Sequence, residues 1–154
     1  NNTIHFVVGG ETRFHSVKNG LSKVTQQSIV FVHDAVRCLL TPALIQNCYQ
    51  QAVNKGSAIP AVSATDTIRL KEGEQHRLIN REQVMLIQTP QTFQSEILLK
   101  AFEQDYQSSF TDEANVVEKA GFPVFLIEGE FENIKITRPL DMAIANFILS
   151  KRIS

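Results

Sequence analysis

The sequence predicts an α/β protein in which helices cover a mostly parallel β-sheet. Short apolar segments rich in β-branched residues alternate with longer segments whose apolar residues recur every three or four positions. Residues 28–32 are apolar nearly throughout, as is typical of strands buried on both faces of a parallel sheet. The 154 residues, 43% of them hydrophobic, suit a single domain over 1–154 with a sizeable core.

The elements before residue 63 have recognisable ends. Gly9-Gly10 stops a β-branched and aromatic segment, which predicts a strand followed by a turn. Thr41 and Pro42 are suited to the N-cap and the first residue of a helix, and Gly56 is suited to its end. The predicted elements are strands over 4–8, 28–32 and 58–62 and helices over 13–24 and 42–55.

Residues 63–88 differ in character from the rest of the chain. Segments 67–71 and 76–79 alternate apolar with polar residues around a turn at 72–74. This pattern predicts a two-stranded hairpin with one solvent-exposed face. We interpret 63–88 as an arm that projects from the sheet. The remaining predicted elements are strands over 84–87 and 124–127 and helices over 94–104, over 111–120 and from 139 onward.

Composition excludes several classes of protein. The 15 Lys+Arg and 16 Asp+Glu give a net charge of −1, which argues against a nucleic-acid coat because phosphate neutralisation needs a basic excess. No apolar run approaches the length of a membrane span, and no export signal opens the sequence. Cys38 and Cys48 indicate two reduced thiols in a cytosolic protein, with a single bridge as the alternative.

Candidate site residues follow the predicted strands, where ligands bind in open parallel sheets. Asp34 can hold a divalent cation and Arg37 can bind a phosphate, although a surface ion pair or a helix cap is the alternative for so short a motif. Near the C-terminus, Lys135 and Thr137 alternate with isoleucines and are expected to face a cleft. His33 is expected to be a hydrogen-bonded structural residue. No Walker-type loop, HExxH or GxSxG sequence is present.

The order of several short motifs is more specific than any one of them. They are Gly9-Gly10, Arg13, Ser16-Val17, Gly20-Leu21, Val32-His33-Asp34-Ala35 with Arg37, Asp66-Thr67, Arg81, Thr89-Pro90-Gln91, Thr111-Asp112-Glu113-Ala114, and Asn133-Ile134-Lys135-Ile136-Thr137-Arg138-Pro139 with Asp141. In this order they closely resemble the 2-C-methyl-D-erythritol 4-phosphate cytidylyltransferase family over essentially the whole chain. The most distinctive are the HDA, TPQ, TDEA and NIKITRP motifs.

The resemblance implies a Rossmann-like fold and a cytoplasmic nucleotidyltransferase of the non-mevalonate isoprenoid pathway. Such an enzyme joins CTP to 2-C-methyl-D-erythritol 4-phosphate, releases pyrophosphate and needs Mg²⁺. It also implies a homodimer in which the arm of each subunit reaches over the active site of the other. A ribitol 5-phosphate cytidylyltransferase and a non-catalytic, dimerising remnant of the fold are the alternatives.

Residue roles are carried over from the matching motifs. The resemblance places Lys135, Asp34 and Arg37 at the reacting phosphates, with Asp34 also as the metal ligand. The resemblance also implies that Thr111 faces the reacting phosphates and the erythritol phosphate, and that Thr89 binds substrate. The other implied contacts are Gly10, Glu11, Ser16 and Ala35 on the cytidine and ribose, and Thr67 and Arg81, from the arm, on the partner subunit's erythritol phosphate.

One departure from the family pattern concerns the start of the sequence. The family begins with a strand and a glycine-rich loop whose Arg and Lys bind the triphosphate, and nothing in the 154 residues matches them. By this resemblance the missing part is roughly the first third of the family pattern and includes a central strand of the sheet, whose removal leaves the neighbouring strands with unpaired backbone groups. We therefore expect that this chain alone has little or no transferase activity.

Overall fold

The computed structural model of the protein describes residues 3–153. Its helices are α1 (Arg13–Leu21), α2 (Pro42–Lys55), α3 (Ser95–Ala101), α4 (Glu113–Lys119) and α5 (Pro139–Ile153). Its strands are β1 (Ile29–Val32), β2 (Ser57–Ser63), β3 (Ile68–Glu72), β4 (Gln75–Ile79), β5 (Met85–Ile87), β6 (Gln91–Gln94) and β7 (Leu126–Glu128). A short 3₁₀ turn covers Arg81–Gln83. In the described part of the chain, no helix is long and apolar enough to cross a membrane.

The central sheet has five strands in the order β1-β6-β2-β5, with β7 also paired to β2. Strands β1, β2 and β7 run in one direction, and β5 and β6 run opposite to them. The predicted α/β class with flanking helices is confirmed. In this sheet the pairing of β2 with β7 is parallel, and the pairings of β1 with β6, β6 with β2 and β2 with β5 are antiparallel. Strand β6 was not predicted, because Gln91–Gln94 has little of the apolar character of a central strand.

Both faces of the sheet are covered by helices. Val30 and Val32 pack with Phe14 of α1 and with residues of α3 and α4, whereas Ile29 and Phe31 pack against α2. Strand β1 nevertheless stays half-buried on both sides rather than fully buried. A third small cluster joins Leu39 to α5. These layers fix the loop after β1 between α1 and the segment that leads into α5.

The cap residues explain where the helices begin and end. The side chain of Thr41 accepts a hydrogen bond from the Leu44 amide, and Gly56 adopts the left-handed conformation that favours glycine. These two predicted ends are confirmed. Helix α4 begins later than predicted because the side chain of Asp112 caps it, accepting from the amide of Asn115. Helix α3 is shorter at its start because β6 extends to Gln94.

The predicted strand over 4–8 is wrong. Residues 3–10 form no strand, because no described strand lies alongside to pair with them. Their apolar side chains are consequently uncovered, and that of Phe6 is 96% exposed. The predicted helix over 13–24 ends early, at Leu21, where the Ser22 amide donates to the Asn19 carbonyl.

The predicted hairpin is confirmed. Strands β3 and β4 pair antiparallel from Ile68 opposite Ile79 to Glu72 opposite Gln75, and Gly73 takes the left-handed conformation at the turn. Most of the hairpin's side chains are exposed. The hairpin therefore extends from the sheet as an arm. The 3₁₀ turn and β5 connect it back to the sheet.

Candidate active site

Asp34 lies in the loop after β1 and is held by two cations. Its Oδ1 lies 2.7 Å from Nη1 of Arg13, and its Oδ2 lies 3.1 Å from Nζ of Lys135. Partial burial raises the pKa of the Asp34 carboxyl, but the hydrogen bonds and charges of Arg13 and Lys135 outweigh burial and lower it overall. Asp34 is therefore an anion held between two cations.

Three elements meet at this carboxylate. Arg13 is the first residue of α1, whose N-cap is Thr12. Lys135 lies in the segment between β7 and α5, where Ile134 and Ile136 are half-buried against the Leu39 cluster. Lys135 and Thr137 are exposed, as the alternation of the sequence predicts. The isoleucines thus anchor the segment and leave Lys135 on the open side.

A hydrogen-bonded chain fixes the loop that carries Asp34. The Asp34 amide donates to Oγ1 of Thr89 at 3.1 Å, and Oγ1 lies 2.9 Å from Nδ1 of His33. Nε2 of His33 lies 2.9 Å from the Arg37 carbonyl. A carbonyl only accepts, so Nε2 carries the proton, and in the neutral ring Nδ1 accepts from the Thr89 hydroxyl. The expected structural role of His33 is confirmed.

The guanidinium of Arg37 is bound by carbonyl groups rather than by a carboxylate. Nη1 donates to the Asn133 carbonyl at 2.7 Å and Nη2 to the Ile87 carbonyl at 3.4 Å. Burial lowers the pKa of Arg37, and the nearby charge of Asp34 only partly opposes this. Arg37 thus brings a positive charge to the loop with no carboxylate bonded to it, which suits it to an anionic ligand.

Buried amides connect the remaining walls of the site. The side chain of Gln91, 1% exposed, donates to Oδ2 of Asp112 at 2.9 Å and accepts from the Ala114 amide at 2.8 Å. The fully buried Asn133 donates to the Thr89 carbonyl at 2.9 Å. The TPQ motif is therefore the structural link between the TDEA and NIKITRP motifs.

These residues surround a small polar cavity of about 160 Å³. It is lined by Arg13, Asp34, Arg37, Ile87, Gln88, Thr89, Gln91, Thr111, Asp112 and Lys135. A larger hollow of about 420 Å³ lies between β2, β5 and β7, but its lining is mostly apolar and includes no cation. The small cavity is consequently the better candidate for a phosphorylated ligand, since phosphate needs positive charge and donors.

The cavity gathers five of the residues that the sequence singles out. Asp34, Arg37, Thr89, Thr111 and Lys135 all line it, although they come from four separate parts of the chain. The structure thus brings together the residues expected at the phosphates.

The residues expected on the nucleotide side do not line the cavity. The Gly10 amide donates to Oγ of Ser16 at 3.0 Å, so these two residues form one turn before and into α1. A Cβ at Gly10 would lie 2.3 Å from Cβ of His15, which explains the glycine. Glu11 and Ala35 are exposed.

The two arm residues also lie away from the cavity of their own chain. Thr67 and Arg81 are exposed at the base of the hairpin, and Nη1 of Arg81 donates to the Thr65 carbonyl at 2.9 Å. Their predicted service to a partner subunit stays a prediction.

Sequence reasoning assigned no role to Arg13 and Glu113. Arg13 donates to Glu113 from Nε at 3.0 Å and from Nη2 at 2.7 Å, while Nη1 binds Asp34. Burial by itself would lower the pKa of Arg13, but the two carboxylates raise it overall. The sequence places Glu113 in the first turn of a helix. A carboxylate there is already explained by the helix dipole, so it gave no reason to expect an ion pair with Arg13.

The described residues also bear on the expected metal ligand and thiols. Among residues 3–153, no group of three or more His, Cys, Asp or Glu side chains is placed to hold a metal ion. Cys38 is exposed and Cys48 is buried, and both are free. The prediction of two reduced thiols is confirmed over that of a bridge.

The fold and the cavity define an α/β protein with a polar cavity beside the loop after β1, lined by three cations and two carboxylates. A family model described as 2-C-methyl-D-erythritol 4-phosphate cytidylyltransferase matches residues 1–151. The chain belongs to that family.

Individual relatives agree with the family match. Proteins of that name from Bacteroides thetaiotaomicron and Bacteroides fragilis are 45% and 43% identical over 141 residues, which are 92% of this chain and 64% of each relative. The chain thus spans just under two thirds of the length of these relatives.

Solved structures give the same result. That of 2-C-methyl-D-erythritol 4-phosphate cytidylyltransferase from Thermus thermophilus superposes with a TM-score of 0.79 at 33% identity, covering 92% of this chain and 71% of that one. The 4-diphosphocytidyl-2C-methyl-D-erythritol synthase from Anaerococcus prevotii gives a TM-score of 0.84 at 28% identity, covering 97% and 69%.

Proposed function

We propose that the protein containing this chain transfers CMP from CTP to 2-C-methyl-D-erythritol 4-phosphate and releases pyrophosphate. The observation that carries the proposal is the cavity in which Asp34 is held between Arg13 and Lys135 beside Arg37. The family match and the relatives favour this substrate over ribitol 5-phosphate. They also favour an enzyme over a non-catalytic remnant.

The chemistry of the proposed reaction fits the residues of the cavity. An oxygen of the erythritol phosphate attacks the α-phosphorus of CTP, a new P–O bond forms, and the bond to the β-phosphate breaks as pyrophosphate leaves. The attacking phosphate is already a nucleophile, so the protein has to align two polyanions and balance their charge rather than activate a Ser, Cys or His.

Lys135 and Arg37 are the groups that we assign to the phosphates. The side chain of Lys135 is 49% exposed, so Nζ can leave Asp34 for a phosphate oxygen without crossing the protein interior. Arg37 is held by two carbonyls and keeps its charge for an anion. The hydroxyl of Thr89 keeps Asp34 in place while Lys135 moves.

Asp34 is the residue that would hold Mg²⁺. Each carboxylate oxygen has two lone pairs, so Asp34 can accept a further ligand beside its bonds to Arg13 and Lys135. Magnesium commonly takes one or two carboxylates and completes its shell with phosphates and water, so this donor set fits. When bound, the ion would supply positive charge to the phosphate oxygens.

A homodimer completes the proposal. The arm over 63–88, part of a single domain over 1–154, is mostly exposed and carries Thr67 and Arg81 at its base. We assign these two residues to the erythritol phosphate bound by the partner subunit. The two free thiols are consistent with a cytoplasmic enzyme.

A substrate comparison tests the proposed function. The full-length protein that contains these residues is given CTP and Mg²⁺ with either 2-C-methyl-D-erythritol 4-phosphate or ribitol 5-phosphate, and pyrophosphate release is followed. Release that depends on the erythritol phosphate supports the proposal. Faster release with ribitol 5-phosphate, or none with either substrate, contradicts it.

A further inference from the structure

We infer that Glu113 is a positioning residue that fixes the Arg13 guanidinium on Asp34. The inference rests on the proposed function, because it assigns Glu113 to the same phosphate-transfer site. Glu113 lines no part of the polar cavity and is 1% exposed. It therefore acts through Arg13 rather than on a substrate.

All three nitrogens of the Arg13 guanidinium are hydrogen-bonded to a carboxylate. Glu113 accepts from Nε and Nη2 of Arg13, at 3.0 and 2.7 Å, which is the two-pronged arrangement that fixes a guanidinium plane. The one terminal nitrogen that remains, Nη1, lies 2.7 Å from Oδ1 of Asp34. With the plane fixed by Glu113, Nη1 can point only toward the carboxylate.

Burial makes a purely stabilising role a poor explanation for Glu113. Burying a carboxylate in an ion pair costs the water of its charge, and this cost applies to Glu113, whose side chain is 2% exposed, while that of Arg13 is 39% exposed. Burial accordingly raises the pKa of Glu113 despite the opposing effect of Arg13. What the ion pair provides at this position is orientation.

The orientation matters because Asp34 also binds Lys135. When Lys135 moves from Asp34 to a phosphate, the charge of Asp34 is still balanced by Arg13. Without Glu113, the long Arg13 side chain would be free to follow the phosphate, and Asp34 would lose the cation that still balances its charge. Glu113 thus separates a fixed cation from a movable one.

Two variants of the full-length protein test the inference. Glu113→Gln keeps the shape and removes the charge, and Glu113→Asp keeps the charge but is too short to bind Nε and Nη2 together. Both are expected to lower kcat about 100-fold, since a small misplacement in a site has effects of that order. The KM for CTP should change little. Glu103→Gln, which breaks the exposed pair of Lys100 with Glu103, is the matched control and should keep the wild-type kcat.

A crystal structure of each variant gives a readout that does not depend on activity. The inference predicts that Arg13 leaves Asp34 in both variants, and that kcat falls without a matching loss of thermal stability in Glu113→Asp. Arg13 still bound to Asp34 in either variant, or kcat equal to that of the control, would overturn it. Absence of transferase activity in the wild type would refute the proposed function, while the two structures would still decide the role of Glu113.

Discussion

Replacing Gln91 with leucine should destabilise the protein and open one wall of the cavity. The substitution keeps the approximate volume and removes both polar groups of a side chain that is 1% exposed. The buried Ala114 amide then loses its acceptor, and Asp112 loses one donor.

The expected size of the effect follows from these two bonds. A lost neutral hydrogen bond costs about 1 kcal/mol and one to a charged group about 2 kcal/mol, with more where a donor stays buried and unpaired. The free energy of unfolding should therefore fall by about 3 kcal/mol, which for a protein of this size lowers Tm by about 6–12 °C. Activity should fall as well, because Asp112 and its neighbour Thr111 line the cavity.

Urea unfolding of the full-length protein, with a Tm by calorimetry, measures this effect. Gln94→Leu is the control on the same strand, since Gln94 is only half-buried and donates to the Ala52 and Val53 carbonyls at the end of α2. We expect a loss of about 1 kcal/mol or less for it. Equal losses for Gln91→Leu and Gln94→Leu would refute the reasoning that links the TPQ and TDEA motifs.

Three further predictions concern single residues. Lys135→Ala should lower kcat about 100-fold, as removal of a charge-balancing group does, and an unchanged steady-state rate would remove Lys135 from the site. Arg81→Ala should raise the KM for the erythritol phosphate and leave the KM for CTP unchanged, whereas a loss of CTP binding would refute the assignment of the arm. Burial raises the pKa of the Cys48 thiol to about 11, so a thiol reagent at mildly alkaline pH should label Cys38 alone in the native protein and both cysteines after unfolding. Rapid labelling of Cys48 in the native state would contradict its burial.

The sequence predicted those elements whose ends carry their own chemical signal. Helix α2 is an example, because Thr41, Pro42 and Gly56 mark its limits regardless of its neighbours. The arm was predictable for a similar reason, since its alternation and its turn are local. The strand over 4–8 was mispredicted because strand formation needs a neighbouring strand, which no local pattern reports.

The candidate site was predictable as a set of motifs but not as a network. Asp34, Arg37 and Lys135 were found by residue type, by position after predicted strands and by resemblance. The link between Arg13 and Glu113 spans 100 residues and depends on the packing of α1 against α4. Strand β6 was missed for a related reason, since Gln91 is buried only because its amide has partners on another element.

A crystal structure of the full-length protein with the cytidine diphosphate product bound tests the central claim most directly. We predict that the diphosphate lies in the polar cavity, with its oxygens within hydrogen-bond distance of Lys135 and Arg37. Arg13 should still be bound to Asp34. A diphosphate bound elsewhere, such as in the larger apolar hollow beside Met85 and Phe131, would contradict the proposed site.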